Sequence, residues 1–234
     1  MLVISIDTAT VTAGAAIVCG EPKTKESYQV LAEFSLNTGK THSQRFLPMV
    51  QSLLQAAEMQ LADMDAIAVT VGPGSFTGLR IGLSTAKAWA QALNKPIYAI
   101  DTLAALAATV EYDGLVCSLL DARKQQVYTA LFESGTRLLP DMACSLQEMM
   151  DKVAAWEQPV MFCGDGVLVY GEDIKAKFGE RYVPAPHSRF IFPALGAAYL
   201  CLQGDIAPVS AYTLKANYLR LSEAERHKKE AQGR

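Results

Sequence analysis

The sequence predicts a mixed α/β protein of two unequal lobes, and three observations carry that expectation. β-like and helical runs alternate along much of the chain, and the alternation is interrupted once, near residues 111 to 114. The chain has 234 residues, long for one simple domain and short for two full ones, since domains run to roughly 100–200 residues. Half of the residues are hydrophobic and 19% are charged, the profile of a globular chain with a substantial core.

Residues 2 to 6, 13 to 19 and 28 to 36 have β character, and the short turns between them favour an antiparallel meander. Residues 42 to 59 carry Phe46, Val50, Leu53, Leu54 and Ala57 at helical spacing, with Pro48 bending the first turns. This helix is expected against the sheet. Strand 66 to 71, a helix from 76 to 93, strand 96 to 100 and a helix from 102 to 110 then alternate, which implies parallel strands joined by crossovers. Residues 1 to 110 form the first lobe.

The second lobe, residues 111 to 187, opens with strand 115 to 120, and the run DARKQQVYTALF reads as a turn and a further strand. A helix near 146 to 156, a strand near 159 to 163, the Gly164-Asp165-Gly166 turn and a helix near 168 to 178 complete it. Residues 188 to 221 supply an alanine-rich helix, 188 to 203, and a segment that packs back on the first lobe. Residues 222 to 234 are charged without an apolar face and read as a flexible tail. No internal repeat shows in the sequence.

The net charge of −3 gives no general attraction to nucleic acid, so any RNA is expected to be held mainly by a partner. The N-terminal MLVISIDTAT lacks a basic leader and reads as a first strand, and no run reaches the ~18 apolar residues of a membrane span. The five cysteines, 19, 117, 144, 163 and 201, are scattered and form no C-x-x-C pair. That usage implies a reduced, cytoplasmic setting without zinc or disulfides. Cys117, Cys163 and Cys201 lie in apolar stretches and read as packing residues. His42, His187 and His227 form no pair at ligating spacing, and no protein-held transition metal is expected.

The stretch VTVGPGSFTGLRIGLSTAKAWAQAL resembles a phosphate-binding turn without completing one. A Walker loop needs Lys after its last glycine, but Gly78 is followed by Leu79 and Arg80. The dinucleotide pattern fails because position 77 is Thr77. Ser75 sits in G-P-G-S-F-T-G, not in the G-x-S-x-G of a serine hydrolase, and reads as the N-cap of the following helix. Gly78, Gly82, Ala86 and Ala90 recur every four residues and line one helical face, where a neighbour can approach closely. That neighbour is either part of the same chain or a second chain.

Three strand ends carry acids. Asp7 and Thr8 follow the first strand, where they face a phosphate and its magnesium or form a polar turn in which Asp7 caps amides. Asp121 and Arg123 stand in the same kind of position, with an internal ion pair as the plainer reading. Gly164, Asp165 and Gly166 bring backbone near a nucleotide or make an ordinary turn. One cleft holds all three groups if the lobes face each other.

Taken with ISIDTAT, THSQRFLPMV, DTLAALA, DARKQQVY and NYLR, these motifs span nearly the whole chain, which is identified by them as resembling the TsaB, or YeaZ, family. That family is the bacterial accessory protein for making threonylcarbamoyladenosine (t6A) in tRNA. The resemblance implies an actin-like ATPase (ASKHA) superfold with its second lobe reduced. It also implies a scaffold role beside the catalytic paralogue TsaD and the ATPase TsaE. The catalytic relative has a metal-binding H-x-x-x-H where this chain reads DTLAALAA, and Thr102 and Leu106 stand at the two ligand positions. A pseudoenzyme is therefore implied, binding no cofactor alone, with ATP or ADP and a metal in the partner complex. Asp7, Thr8, Asp121, Arg123, Gly164, Asp165 and Gly166 would be the remnant of a nucleotide cleft. Because the family uses this helix region for self-association and for pairing with its paralogue, Gly78, Gly82, Ala86 and Ala90 are expected at an intermolecular interface. That interface gives a homodimer when the chain is alone. The other reading is an independent actin-like ATPase using Asp7, Asp121 and Gly164, or a glycoprotease-like peptidase.

Overall fold

The computed structural model describes residues 1–37, 42–186 and 192–220. The first lobe runs β1 (Leu2–Asp7), β2 (Ala13–Cys19), β3 (Gln29–Leu36), α1 (His42–Ala56), β4 (Ala66–Gly72), α2 (Phe76–Leu93), β5 (Ile97–Asp101) and α3 (Thr102–Thr109). Its sheet order is β3-β2-β1-β4-β5, with the first three strands antiparallel and β4 and β5 parallel to β1. Successive side chains of a strand point to opposite faces, and here both faces are covered. Ile4 and Ile6 pack with Phe46 and Leu53 of α1 and Leu79 and Ala86 of α2. Val3 packs on the other side with Leu195 and Ala198. That is why LVISI reads as a nearly unbroken apolar run.

The second lobe runs β6 (Leu115–Asp121), β7 (Gln126–Glu133), β8 (Thr136–Ser145), α4 (Leu146–Ala154), β9 (Val160–Cys163), α5 (Gly166–Phe178) and β10 (Tyr182–Pro184), followed by α6 (Pro193–Gln203). Its order is β10-β9-β6-β7-β8. β6, β7 and β8 are antiparallel, and β9 and β10 run parallel to β6. Each lobe therefore repeats one plan: three meander strands, a helix, a parallel strand, a helix, a parallel strand and a last helix. The repeat invisible in the sequence is present in the topology. The second lobe keeps the strand number and is shortened only in its parallel strands: β9 and β10 have 4 and 3 residues against 7 and 5 for β4 and β5.

The sequence reading misses β8 and β10. β8 is an edge strand containing Pro140 and Asp141, which blurs its alternation. The signal for it is the two-residue turn Ser134-Gly135, both with positive φ, between the paired Glu133 and Thr136. α1 ends at Ala56 and not at 59, and α5 starts at Gly166 directly after the turn. The start assigned to the last helix, 188 to 191, and His187 lie outside the described residues, as do the tail and His227.

α3 is the wedge between the lobes. Its Leu103 and Leu106, with Val110 just beyond its end, pack with Val116, Leu120 and Phe132 of the second sheet, while Ala105 joins α6 and Val3 on the first. The two helices cross so closely that a Cβ at Gly196 would stand 1.8 Å from the Ala105 carbonyl oxygen. Thr109 donates its hydroxyl to the same carbonyl at 2.8 Å and reaches across to the Phe192 carbonyl, at the start of α6, at 3.2 Å.

Candidate functional site

The lobes face each other across a cleft of about 640 Å³. From the first lobe it is lined by Thr10, Val11, His42 and the Pro73–Thr77 turn, and from the second by Asp121, Arg123, Tyr128 and Asp165. Of the seven residues assigned to a remnant cleft, Asp121, Arg123 and Asp165 line it; Asp7, Thr8, Gly164 and Gly166 lie behind its wall.

Asp7 is fully buried. Its Oδ1 accepts from the Thr70 hydroxyl at 2.5 Å and the Ala9 amide at 3.1 Å, and the Thr10 hydroxyl lies 2.9 Å from Oδ2. Burial pushes its carboxyl pKa up, opposed by those bonds and by His42. Of the two roles expected for it, the carboxylate takes that of capping the turn after β1, through the Ala9 amide, and not that of facing a phosphate or magnesium.

Thr8 is the counterpart of the small-residue stripe. Its hydroxyl donates to the Gly78 carbonyl at 2.7 Å and accepts from the Gly82 amide at 3.0 Å. A Cβ at Gly78 would stand 1.9 Å from the Thr8 carbonyl oxygen, and one at Gly82 2.6 Å from the Thr8 hydroxyl. Gly78, Gly82, Ala86 and Ala90 are all buried within the chain, where they let α2 lie close on β1 and β4. The expected intermolecular contact through this face is therefore corrected: β1, its following turn and β4 already cover it. Ser75 caps the helix as expected, accepting from the Gly78 amide at 3.2 Å.

Asp165 ties the lobes together. One carboxylate oxygen accepts from the Asp121 amide at 2.9 Å and the other from the Val11 amide at 3.3 Å. Only 6% of it is exposed, and burial, reinforced by Asp121 and Asp7, pushes its pKa up to about 6. Gly164 and Gly166 close the turn against β6: a Cβ on Gly164 (φ +105°) would stand 2.1 Å from the Leu119 carbonyl oxygen. Asp121 accepts from the Tyr170 hydroxyl at 2.9 Å and the Arg123 amide at 2.8 Å. The anticipated ion pair between Asp121 and Arg123 is replaced by that backbone bond. Arg123, Lys124 and Gln125 all have positive φ, a strained run of non-glycine residues beside the cleft.

The C-terminal segment, expected from the sequence to pack back on the first lobe, also closes one side of the cleft. The Asn217 amide donates to Val71 O at 2.6 Å, Tyr218 stacks on Phe76 with centroids 4.3 Å apart, and Arg220 donates to Ala122 O at 3.3 Å. The strap thus touches both lobes.

A magnesium nucleotide asks for free carboxylates and phosphate-facing amides. Asp7 is sealed, both oxygens of Asp165 are bonded to backbone, and Thr102 accepts the Gly72 amide at 3.2 Å, while Leu106 is fully buried among the apolar residues of the second sheet. These residues do not fit that group. Cys117, Cys163 and Cys201 are buried, which pushes each thiol up to about 12, and they act as packing residues. No described helix is long and apolar enough to cross a membrane.

A family model described as TsaD, tRNA N6-adenosine threonylcarbamoyltransferase, matches residues 29–222. The tRNA threonylcarbamoyladenosine biosynthesis protein TsaB of Bacillus subtilis (strain 168) is 34% identical over 230 residues, 96% of either chain. The solved structure of YeaZ from Pseudomonas aeruginosa superposes with a TM-score of 0.71 at 26% identity, covering 93% of this chain and 99% of that one. A ROK hexokinase from Thermus thermophilus, at 12% identity and a TM-score of 0.51 over 87% of this chain and all of its own, shares the fold alone. The two-lobed actin-like architecture expected from the sequence is the one observed.

Proposed function

The chain belongs to the TsaB, or YeaZ, family of tRNA threonylcarbamoyladenosine biosynthesis proteins, and on that premise we propose that it is a non-catalytic scaffold subunit for t6A formation. It pairs with a TsaD-like catalytic paralogue and a TsaE-like ATPase in the cytoplasm and forms a homodimer when alone. ATP or ADP and the metal belong to the partner complex, which also holds most of the tRNA. The observation that supports this reading is the commitment of the cleft acids to the fold: Asp7 and Asp165 bind the chain's own amides and hydroxyls, and Thr102 holds the Gly72 amide. A carboxylate buried and bonded in this way is committed to the chain's own backbone and hydroxyls and is not presented to a substrate-bound cation. Pairing uses a surface other than the Gly78–Ala90 stripe, which is buried inside the first lobe.

The test has two arms. Depletion of the chain in cells should lower the t6A content of total tRNA, measured by mass spectrometry of nucleosides. The highly purified chain alone should neither form t6A nor turn over ATP. Undiminished t6A after depletion, or steady ATP turnover lost in a folded Asp7→Asn variant, would overturn the reading.

A further inference from the structure

Against the net charge of −3, the outer side of α2 carries a local concentration of positive charge. A groove of about 440 Å³ runs between α2 and the segment before the strap, with Arg80, Lys87 and Lys215 along it and Leu83 and Leu214 beneath. No carboxylate lines it, and among the described residues these three cations make no ion pair. Arg80 and Lys87 stand seven residues apart on one helix, about 10 Å along its axis at ~1.5 Å per residue. The groove ends on Tyr218, which is 40% exposed and also borders the inter-lobe cleft. Its ring is already stacked on Phe76, and the Arg80 guanidinium lies 4.3 Å from the Phe76 centroid. Beyond Tyr218 the groove meets the cleft, where Arg220 and Arg123 stand beside Asp121 and Asp165, so the unopposed cations are those of the groove itself.

Unpaired cations that follow a line, joined to a braced and exposed aromatic ring, are the chemistry of single-stranded nucleic-acid binding: cations track phosphates and the ring takes a base. Tyr and Arg also mark protein interfaces, and what favours RNA here is a line of cations without carboxylates leading to the face of a ring. We propose that this groove binds RNA directly, holding the phosphodiester backbone of an unpaired tRNA stretch on Arg80, Lys87 and Lys215 with a base against Tyr218. The proposal rests on the t6A reading above and deepens it, because it assigns to this chain a tRNA contact that the low net charge argues against.

The test is fluorescence anisotropy of a labelled, unmodified tRNA transcript with the full chain, titrated between about 50 and 200 mM salt. The triple variant Arg80→Glu, Lys87→Glu, Lys215→Glu should bind about tenfold more weakly or worse, and its log–log salt slope should be shallower by about two, at ~0.7 per lost phosphate contact. Its circular dichroism should match the parent, since Arg80 and Lys215 are exposed and Lys87 half-buried. Lys152→Glu, Lys175→Glu, Lys177→Glu removes the same charge on the second lobe and should leave affinity within about twofold if the effect is local. Tyr218→Leu should weaken binding without changing the salt slope. The proposal falls if the parent chain binds no tRNA at the lowest salt, or if both triple variants lose affinity equally. It also falls if the groove variant keeps its RNA affinity and loses a protein partner instead. Loss of t6A on depletion, fully restored by the groove variant, would remove the groove and leave the scaffold reading standing. Unchanged t6A on depletion would remove both.

Discussion

Asp165 illustrates how one buried side chain can make lobe packing depend on pH. Its carboxylate joins Val11 of one lobe to Asp121 of the other, and burial pushes its pKa up to about 6, above the ordinary aspartate value near ~3.9. The folded chain therefore holds this proton more tightly than the unfolded one. The resulting stability is fully present below the unfolded value and is lost as pH rises through about 6. Relative to Asp165→Ala, the parent should gain about 2–3 kcal/mol in urea unfolding between about pH 7 and pH 4, at 1.36 kcal/mol per unit. A difference that is flat across that range would show that the carboxyl is not held as described. Thr8 is the other single residue on which much depends, since its hydroxyl bonds two backbone groups of α2. Thr8→Val keeps the shape and should cost about 1–3 kcal/mol by chemical denaturation.

At the scale of the element, α2 shows that a helix with small residues on one face has two distinct surfaces. The inner face has no room for a Cβ because the backbone of Thr8 occupies the space, whereas Arg80, Ser84, Ala88 and Gln91 on the outer face are exposed. Gly78→Ala should therefore destabilise by about 1–3 kcal/mol through overpacking, while Gln91→Ala stays within about 0.5 kcal/mol. Gly82→Arg brings a charge into the same crowded site and should leave the chain unfolded by circular dichroism. A folded Gly82→Arg variant, monomeric or dimeric, would contradict the packing of this face against β1.

The whole molecule is two copies of one topology, clamped by the α3–α6 crossing, the Asp165 bridge and the C-terminal strap. Residues 222–234 carry the charge of the tail, and removing them should leave the thermal midpoint within a few degrees. Removing residues 217–220 as well deletes the Asn217–Val71 bond, the Tyr218–Phe76 stack and the Arg220 bond across the cleft. That longer truncation should lower the midpoint clearly further in a calorimetric scan. Equal midpoints for the two truncations would show that the strap contributes nothing to holding the lobes.

Much of this architecture is legible in the sequence because hydrophobic period and turn chemistry are local. Residues 2 to 6 announce a strand, Ser75 announces a helix start, and the interruption near 111 to 114 falls where β6 opens the second sheet. Edge strands such as β8 and β10 are weakly written, since a half-exposed strand with Pro140 or only three residues has little pattern to show. The cleft is legible only as a set of candidates. Sequence alone marked Asp7, Thr8, Asp121 and Asp165 as acids and hydroxyls at strand ends, and Gly78 and Gly82 as places of close approach. Only the tertiary structure decided that Thr8 fills the space left by those glycines, that Asp7 is sealed from the cleft, and that Asp165 spans it. The reason is physical: local sequence determines what a residue can bond and how close a backbone can come, but the identity of the neighbour depends on contacts between positions 44 to 154 residues apart along the chain.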